Sequence, residues 1–394
     1  MDSAALLGGL DPQAFLKRHW QKTPCLIRGA IPDLVSPISA EELAGLACEQ
    51  GVEARIVQKT RRKPGWSVRH APFAERDFTS LPARDWTLLV QDTDKYLPAL
   101  AQLLDRFRFI PNWRIDDVMV SYAADGGGVG PHVDAYDVFL LQAQGFRRWS
   151  IGTAAHANLE LPGLDLKQVR DFQAEQEWLL APGDMLYLPP GVAHDGVAVG
   201  DCLTFSIGFR VPSDGEMLAD IAGLLIERTD SDARYGDRDL RDSSRDPGLI
   251  SNIARQRLRQ RLKNLLRLDA DALDQWFGCY ITEPKPWLRP AVPRRRLDAA
   301  RIRQLLQSRG LVRDPATNLC WMPGPRDLVR LFADGHCYPL PSRLASLAQL
   351  LCRQRDYPVT LLAAFGRDNV ALDLFTELYN SGTVRSLSGS GNKK

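Results

Sequence analysis

The sequence predicts an α+β chain: a mainly β body, then a helical stretch, then a smaller mixed module. Three observations predict it. From Asp116 to about Pro212, short alternating and apolar runs bounded by Gly and Pro replace helical periodicity. Residues 214–228, 252–268 and 269–276 instead carry apolar residues at helical spacing. Beyond the proline-rich stretch 284–296, helical patterns at 298–308, 342–353 and 370–380 enclose short strands near 319–322 and 329–332. The expected divisions are 1–212 (β core about 85–212), 213–283, a linker 284–297, a module 298–385, and a disordered tail 386–394.

The elements follow in order. Asp11-Pro12 supplies an N-cap and first-turn proline, and Phe15, Leu16, His19 and Trp20 then share one side of a helix. Thr23–Gly29 reads as a strand, 40–50 as a helix, Arg55–Val57 as a strand, and Lys59–Lys63 as a basic turn. Trp86–Val90 is a strand and Leu97–Phe107 an amphipathic helix. Val118, Val120 and Tyr122 alternate into a glycine run, and Val138–Leu141 is a short buried strand. In 146–151, Arg147, Trp149 and Ile151 share a face. In 203–210, Leu203, Phe205, Ile207 and Phe209 share one face, and Thr204, Ser206 and Gly208 the other.

Composition narrows the function classes. A net charge of +2 over 394 residues forces neither a nucleic-acid nor a membrane partner. Seven cysteines without a Cys-x-x-Cys pair point to reduced thiols and a cytoplasmic setting. No basic segment precedes the short apolar patch Ala4–Leu10, and no apolar run is long enough to cross a bilayer.

Two segments carry chemistry. Gly126-Gly127-Gly128-Val129-Gly130-Pro131-His132-Val133-Asp134 places a histidine and a carboxylate on one face of an extended strand. Gly183 to His194 adds a short apolar strand, a Pro-Pro-Gly turn and a second histidine. Two imidazoles and one carboxylate without a thiolate suit a non-haem Fe(II) site with open positions, and not a structural zinc site. Arg147 lies on the apolar face of its strand without a carboxylate in that strand. A buried guanidinium needs an anion, so Arg147 grips a ligand carboxylate, or else reaches the rim or pairs with Asp137.

The spacing around Gly183–His194 resembles the second motif of the cupin barrels. The wider pattern resembles the bacterial ribosomal oxygenases, Jumonji-C-type dioxygenases. The resemblance rests on Trp113-Arg114-Ile115-Asp116-Asp117, Gly126–Phe139, Arg147-Arg148-Trp149, Leu186–Gly191 and Ser206–Arg210, with His19–Pro24 and Ala71-Pro72-Phe73 in support. It implies a double-stranded β-helix (jelly roll) over 1–212, a helical dimerisation region, and a winged-helix-like C-terminal module. It implies Fe(II) held by His132, Asp134 and His194, with 2-oxoglutarate and O2 as cosubstrates and Arg147 on the distal carboxylate of 2-oxoglutarate. Thr204 stands where the family has an asparagine near the cosubstrate, which leaves its role open. Asp125 either contacts the substrate guanidinium or caps the glycine loop.

The implied activity is hydroxylation of an arginine, at the β-carbon, in the large-subunit ribosomal protein numbered sixteen. The alternatives are a related oxygenase with another protein or small-molecule substrate, and a non-catalytic metal-binding cupin that docks on ribosomes. The expected partners are that protein and a second copy of the chain. The basic helix 252–268 is a solvated face of a dimer helix or a contact to ribosomal RNA.

Overall fold

The computed structural model describes residues 3–63, 65–153, 156–160, 166–210, 212–238 and 248–387. The predicted tail falls mostly outside them. The chain divides into two compact units: 1–211 with 284–319 and 351–394, and 212–283 with 320–350. The segment 298–385, expected as one module, contributes to both.

The first unit is built on one antiparallel sheet. Its strands run in the order Cys25–Ile27, Met185–Leu188, Val138–Thr153, Ala193–Phe209, Ile115–Ala123, Trp86–Val90, Ala54–Lys59 and Trp66–His70. Gln173–Leu180 pairs with Val138–Thr153, and the two-residue strand His132–Val133 pairs with Ala193–Phe209. The alternation predicted for 203–210 is present. Leu203, Phe205, Ile207 and Phe209 enter the main core, and Thr204, Ser206 and Gly208 line a cavity.

One face of the sheet is closed by aromatic packing. Asp11 caps the helix Pro12–Arg18, accepting from the amides of Gln13 and Ala14, and the helix lays Phe15 into the core. Phe15 meets Tyr187 edge-on at 5.0 Å and Phe139 at 5.5 Å. The Tyr187 hydroxyl donates to Asp137 at 2.6 Å. Arg114 and Gln21 also bond the fully buried Asp137. A buried carboxylate with three donors is satisfied, and it ties the helix entry to the sheet. Asp137 is therefore not the partner of Arg147.

Two runs predicted as separate strands, 138–141 and 146–151, are one strand, Val138–Thr153. Its register to Ala193–Phe209 shifts where Gly145 stands opposite residues 200–202. Gly145 has φ 64°, and a Cβ there would run into the Asp201 carbonyl oxygen. This bulge exchanges the faces of the strand. Before it, Phe139 and Leu141 face the main core; after it, Trp149 and Ile151, of the same parity, pack with Val138 and Leu140.

In the second unit, helices Asp214–Glu227, Asn252–Leu265 and Ala270–Thr282 precede the hairpin strands Leu328–Ala333 and His336–Pro341. Asp269 caps the third helix, as its sequence predicts. Gly278 on that helix lies against the Phe332 ring, and Arg330 bonds both oxygens of Asp271 at 2.7 Å. Among the described residues, no helix is long and apolar enough to cross a membrane.

Candidate metal centre and cosubstrate pocket

The glycine run sets the approach to the centre. A Cβ on Gly127 would strike the Trp86 carbonyl, and one on Gly128 the Gly196 carbonyl. Only glycine lets this loop pass so close to two strands before His132.

His132 and His194 are directly opposed residues of paired strands. Their rings lie 4.2 Å apart, centre to centre. Each Nδ1 sits 2.9 Å from the carbonyl oxygen two residues earlier, Gly130 for His132 and Val192 for His194. Those bonds assign the proton to Nδ1 and leave each Nε2 lone pair for the site. Asp134 completes the set, with its oxygens 3.9 Å from His132 Nε2 and 3.7 Å from His194 Nε2. One donor atom from each residue lies within 4.8 Å of the other two. Burial pushes His194 down to about 4, so its contact to Asp134 is not an ion pair at neutral pH. Two imidazoles with one carboxylate are the donor chemistry of a divalent transition metal with open positions.

A cavity of about 530 Å³ opens beside these three residues. Arg147, Thr204 and Ser206 line it. Arg147 is only 4% exposed, and no carboxylate lies within ion-pair distance among the described residues. Its Nη1 donates to Ser121 Oγ at 3.2 Å and Thr204 Oγ1 at 3.4 Å, and its Nη2 to the Gly196 carbonyl at 3.2 Å. Its Nε has no partner. Burial without an anion pulls this guanidinium below its ordinary value. Such a group is costly unless a ligand carboxylate neutralises it, and 2-oxoglutarate carries one at each end. The residues present therefore fit both the metal and the cosubstrate.

Part of the cavity lining is acidic. Asp116 and Asp117 belong to it, together with Glu53 and Tyr136. Burial pushes Asp117 up to about 7, and burial also raises the Tyr136 hydroxyl. Asp125 is not in this lining. Its Oδ1 accepts from the Gly200 amide at 2.9 Å and its Oδ2 pairs with Arg84 at 3.1 Å, so its side chain holds the turn at Gly200 and not the glycine run that follows it in sequence. Sequence reasoning quoted Asp116 and Asp117 without assigning them a role. Their signal was two carboxylates at the head of the strand Ile115–Ala123, whose later residues Met119 and Ser121 also line the cavity.

An antiparallel jelly roll with this triad and a buried, unpaired guanidinium defines a JmjC-type, 2-oxoglutarate-dependent oxygenase. Family models agree, with a JmjC domain over residues 102–217 and a ROXA-like winged helix over 261–385. An AraC-like ligand binding domain matches 172–273. The ribosomal protein uL16 3-hydroxylase of Escherichia coli is 38% identical over 279 residues, covering 71% of this chain and 73% of that protein. A probable ribosomal oxygenase of Haemophilus influenzae is 35% identical over 342 residues, 83% of this chain and 81% of that one. The structure of YcfD, a ribosomal oxygenase from Escherichia coli, in complex with cobalt and 2-oxoglutarate superposes with a TM-score of 0.81 at 33% identity, over 95% of this chain and 98% of that one. The chain belongs to the ribosomal oxygenase family.

Proposed function

We propose that the chain hydroxylates an arginine side chain of ribosomal protein uL16, at the β-carbon. The carrying observation is that the His-Asp-His triad and the carboxylates of Asp116 and Asp117 line one cavity. Fixed carboxylates recognise a guanidinium. The Escherichia coli relative is named a 3-hydroxylase of uL16, and position 3 of an amino acid is its β-carbon.

The residues divide the work as follows. His132, Asp134 and His194 hold the metal through two Nε2 atoms and one carboxylate oxygen. Arg147 takes the distal carboxylate of 2-oxoglutarate, with Ser121 and Thr204 orienting its guanidinium. Asp116 and Asp117 draw in the substrate cation, and Tyr136 walls the cavity near them. Bound Fe(II) supplies the activation of O2, with 2-oxoglutarate leaving as succinate and CO2 and one oxygen atom passing to the side chain. The protein contributes orientation and a dry pocket.

The protein works as a homodimer in the cytoplasm in this reading. On helix Asn252–Leu265, Ile253 is 62% exposed and Leu258 50%, while Leu218 and Ile226 stand exposed on Asp214–Glu227. Exposed apolar faces on neighbouring helices of one unit fit a protein partner. They favour that role over a contact to RNA phosphates.

The test is incubation of the protein with Fe(II), 2-oxoglutarate, O2 and unmodified large-subunit ribosomal proteins, followed by mass spectrometry. The expected result is one added oxygen on a uL16 arginine, absent without 2-oxoglutarate. Consumption of 2-oxoglutarate with no modified uL16 would move the substrate elsewhere. Neither event, with metal bound, would favour the non-catalytic alternative.

A further inference from the structure

The stretch 284–297, expected as a linker, sends two side chains to the cavity. Lys285 Nζ lies 2.8 Å from Asp92 Oδ1 and 3.2 Å from Asp116 Oδ1. Trp287 Nε1 donates to the other oxygen of Asp92 at 3.1 Å. The Asp92 amide in turn donates to Asp117 Oδ2 at 2.8 Å. Lys285 and Trp287 both line the cavity that holds the triad. Asp92 and Asp117 are almost fully buried, at 1% and 6% exposure.

Charge counting gives these contacts a meaning. Besides Asp134, three carboxylates line the cavity, Glu53, Asp116 and Asp117, and Asp92 joins them through Lys285. Lys285 serves Asp92 and Asp116, Arg210 approaches Asp116 at 3.5 Å, and Arg55 in the lining adds a third cation. Asp117 has a backbone amide and, among the described residues, no cation within ion-pair distance. The deficit is one positive charge.

We propose that Lys285 is a specificity-determining residue, a built-in counter-cation that restricts this acidic wall to a single incoming cationic side chain. The inference rests on the arginine reading above and names the residue that tunes it. A compact ammonium suits the task, because it satisfies two carboxylates at once and leaves the planar fork of a guanidinium to the substrate. Its field reaches Asp117: after burial, which raises that carboxyl, Lys285 is the largest influence and pulls it back. Without Lys285 the deficit becomes two, and a cation in the cavity loses a repelling neighbour. One unit charge about 6 Å away, at an effective dielectric near 20, changes cation affinity about a hundredfold.

The test uses the full chain loaded with Co(II) and 2-oxoglutarate, at a pH where the carboxylates are ionised. Nα-acetyl-arginine amide and its neutral isostere Nα-acetyl-citrulline amide are the probes, and calorimetry is the readout. K285Q keeps N–H donors for Asp92 and Asp116, and K285M removes them; whichever retains the wild-type circular dichroism is read, with K285R as the conservative control. The expected result is about a hundredfold tighter binding of the arginine probe, no change for the citrulline probe, and wild-type behaviour in K285R. Unchanged or weaker binding of the arginine probe, or an equal change for both probes, overturns the proposal and leaves Lys285 as a pin for its own segment. A wild type that binds both probes equally overturns the arginine reading itself, and the role of Lys285 with it.

Discussion

The Arg147 guanidinium lies 3.4 Å from the Thr204 hydroxyl, which donates its own proton to Gln142 Oε1 at 3.0 Å. The hydroxyl is thus an acceptor toward Arg147, and it orients the cation without neutralising it. Arg147→Met is expected to weaken 2-oxoglutarate binding about a hundredfold, since it strips a buried carboxylate of its cation. Thr204→Val leaves the charge in place, and its loss should stay within about tenfold. Calorimetry of 2-oxoglutarate on cobalt-loaded protein separates the two.

Asp134→Ala should abolish metal binding and turnover while leaving the melting curve of the metal-free protein nearly unchanged. The triad lies outside the main hydrophobic core. Chelation of the wild type should do the same, in contrast to folds whose formation depends on the ion. Loss of far-ultraviolet circular dichroism on chelation would contradict this.

Asp117 gives a pH signature. Its folded value of about 7 stands above its ordinary carboxylate value of 3.8, because burial disfavours the charge. Between these values the folded state holds a proton that the unfolded state has released. Stability is therefore highest below pH 4 on this account and falls as pH rises through 7. Asp117→Asn should stabilise the protein at pH 8 by more than about 1 kcal/mol, with the advantage closing toward pH 4. Thermal melts across that range read it directly, and the same variant should bind a cationic substrate more weakly.

Asp125→Ala removes a capping bond to Gly200 and a pair with the largely exposed Arg84. The expected cost is about 1 kcal/mol or less. The KM for substrate should not move, because the carboxylate is outside the cavity. A rise in KM at constant kcat would return Asp125 to the substrate path.

The exposed faces of the second unit predict its behaviour in solution. Leu258→Asp combined with Leu262→Asp puts two charges on the apolar stripe of Asn252–Leu265. The proposed dimer predicts that light scattering reports a dimer for the wild type and a monomer for this double variant. A dimer that survives both substitutions would place the interface elsewhere.

The sequence made the metal centre legible because its three residues sit on local patterns: a glycine run before a strand, and a strand before Pro-Pro-Gly. Strand parity also separated Thr204 from the core face of its strand, and Thr204 and Arg147 both line the cavity. That reasoning held only within short windows. The face exchange at Gly145 depends on a register shift against residues 200–202, which no local period encodes. The strand Gln173–Leu180 escaped because its first five residues are exposed and mostly polar, and its partner is 20 or more residues away. Lys285 could not be found at all by local reading, since its partner Asp92 lies 193 residues earlier. The acidic wall was visible as Asp116-Asp117, yet nothing in the sequence distinguished that pair from Asp125.

The anchoring of both histidine rings by their own backbone carbonyls has a consequence for supply. The donors stand ready before any ion arrives, and they present the same face to every first-row divalent metal. Zinc and copper bind imidazole and carboxylate more tightly than ferrous iron does. Among the described residues, no further ligand joins the three to discriminate between these ions. The ion that fills the centre is therefore chosen by what its surroundings offer during synthesis, and chains made where zinc is abundant and ferrous iron scarce will be folded, occupied and silent.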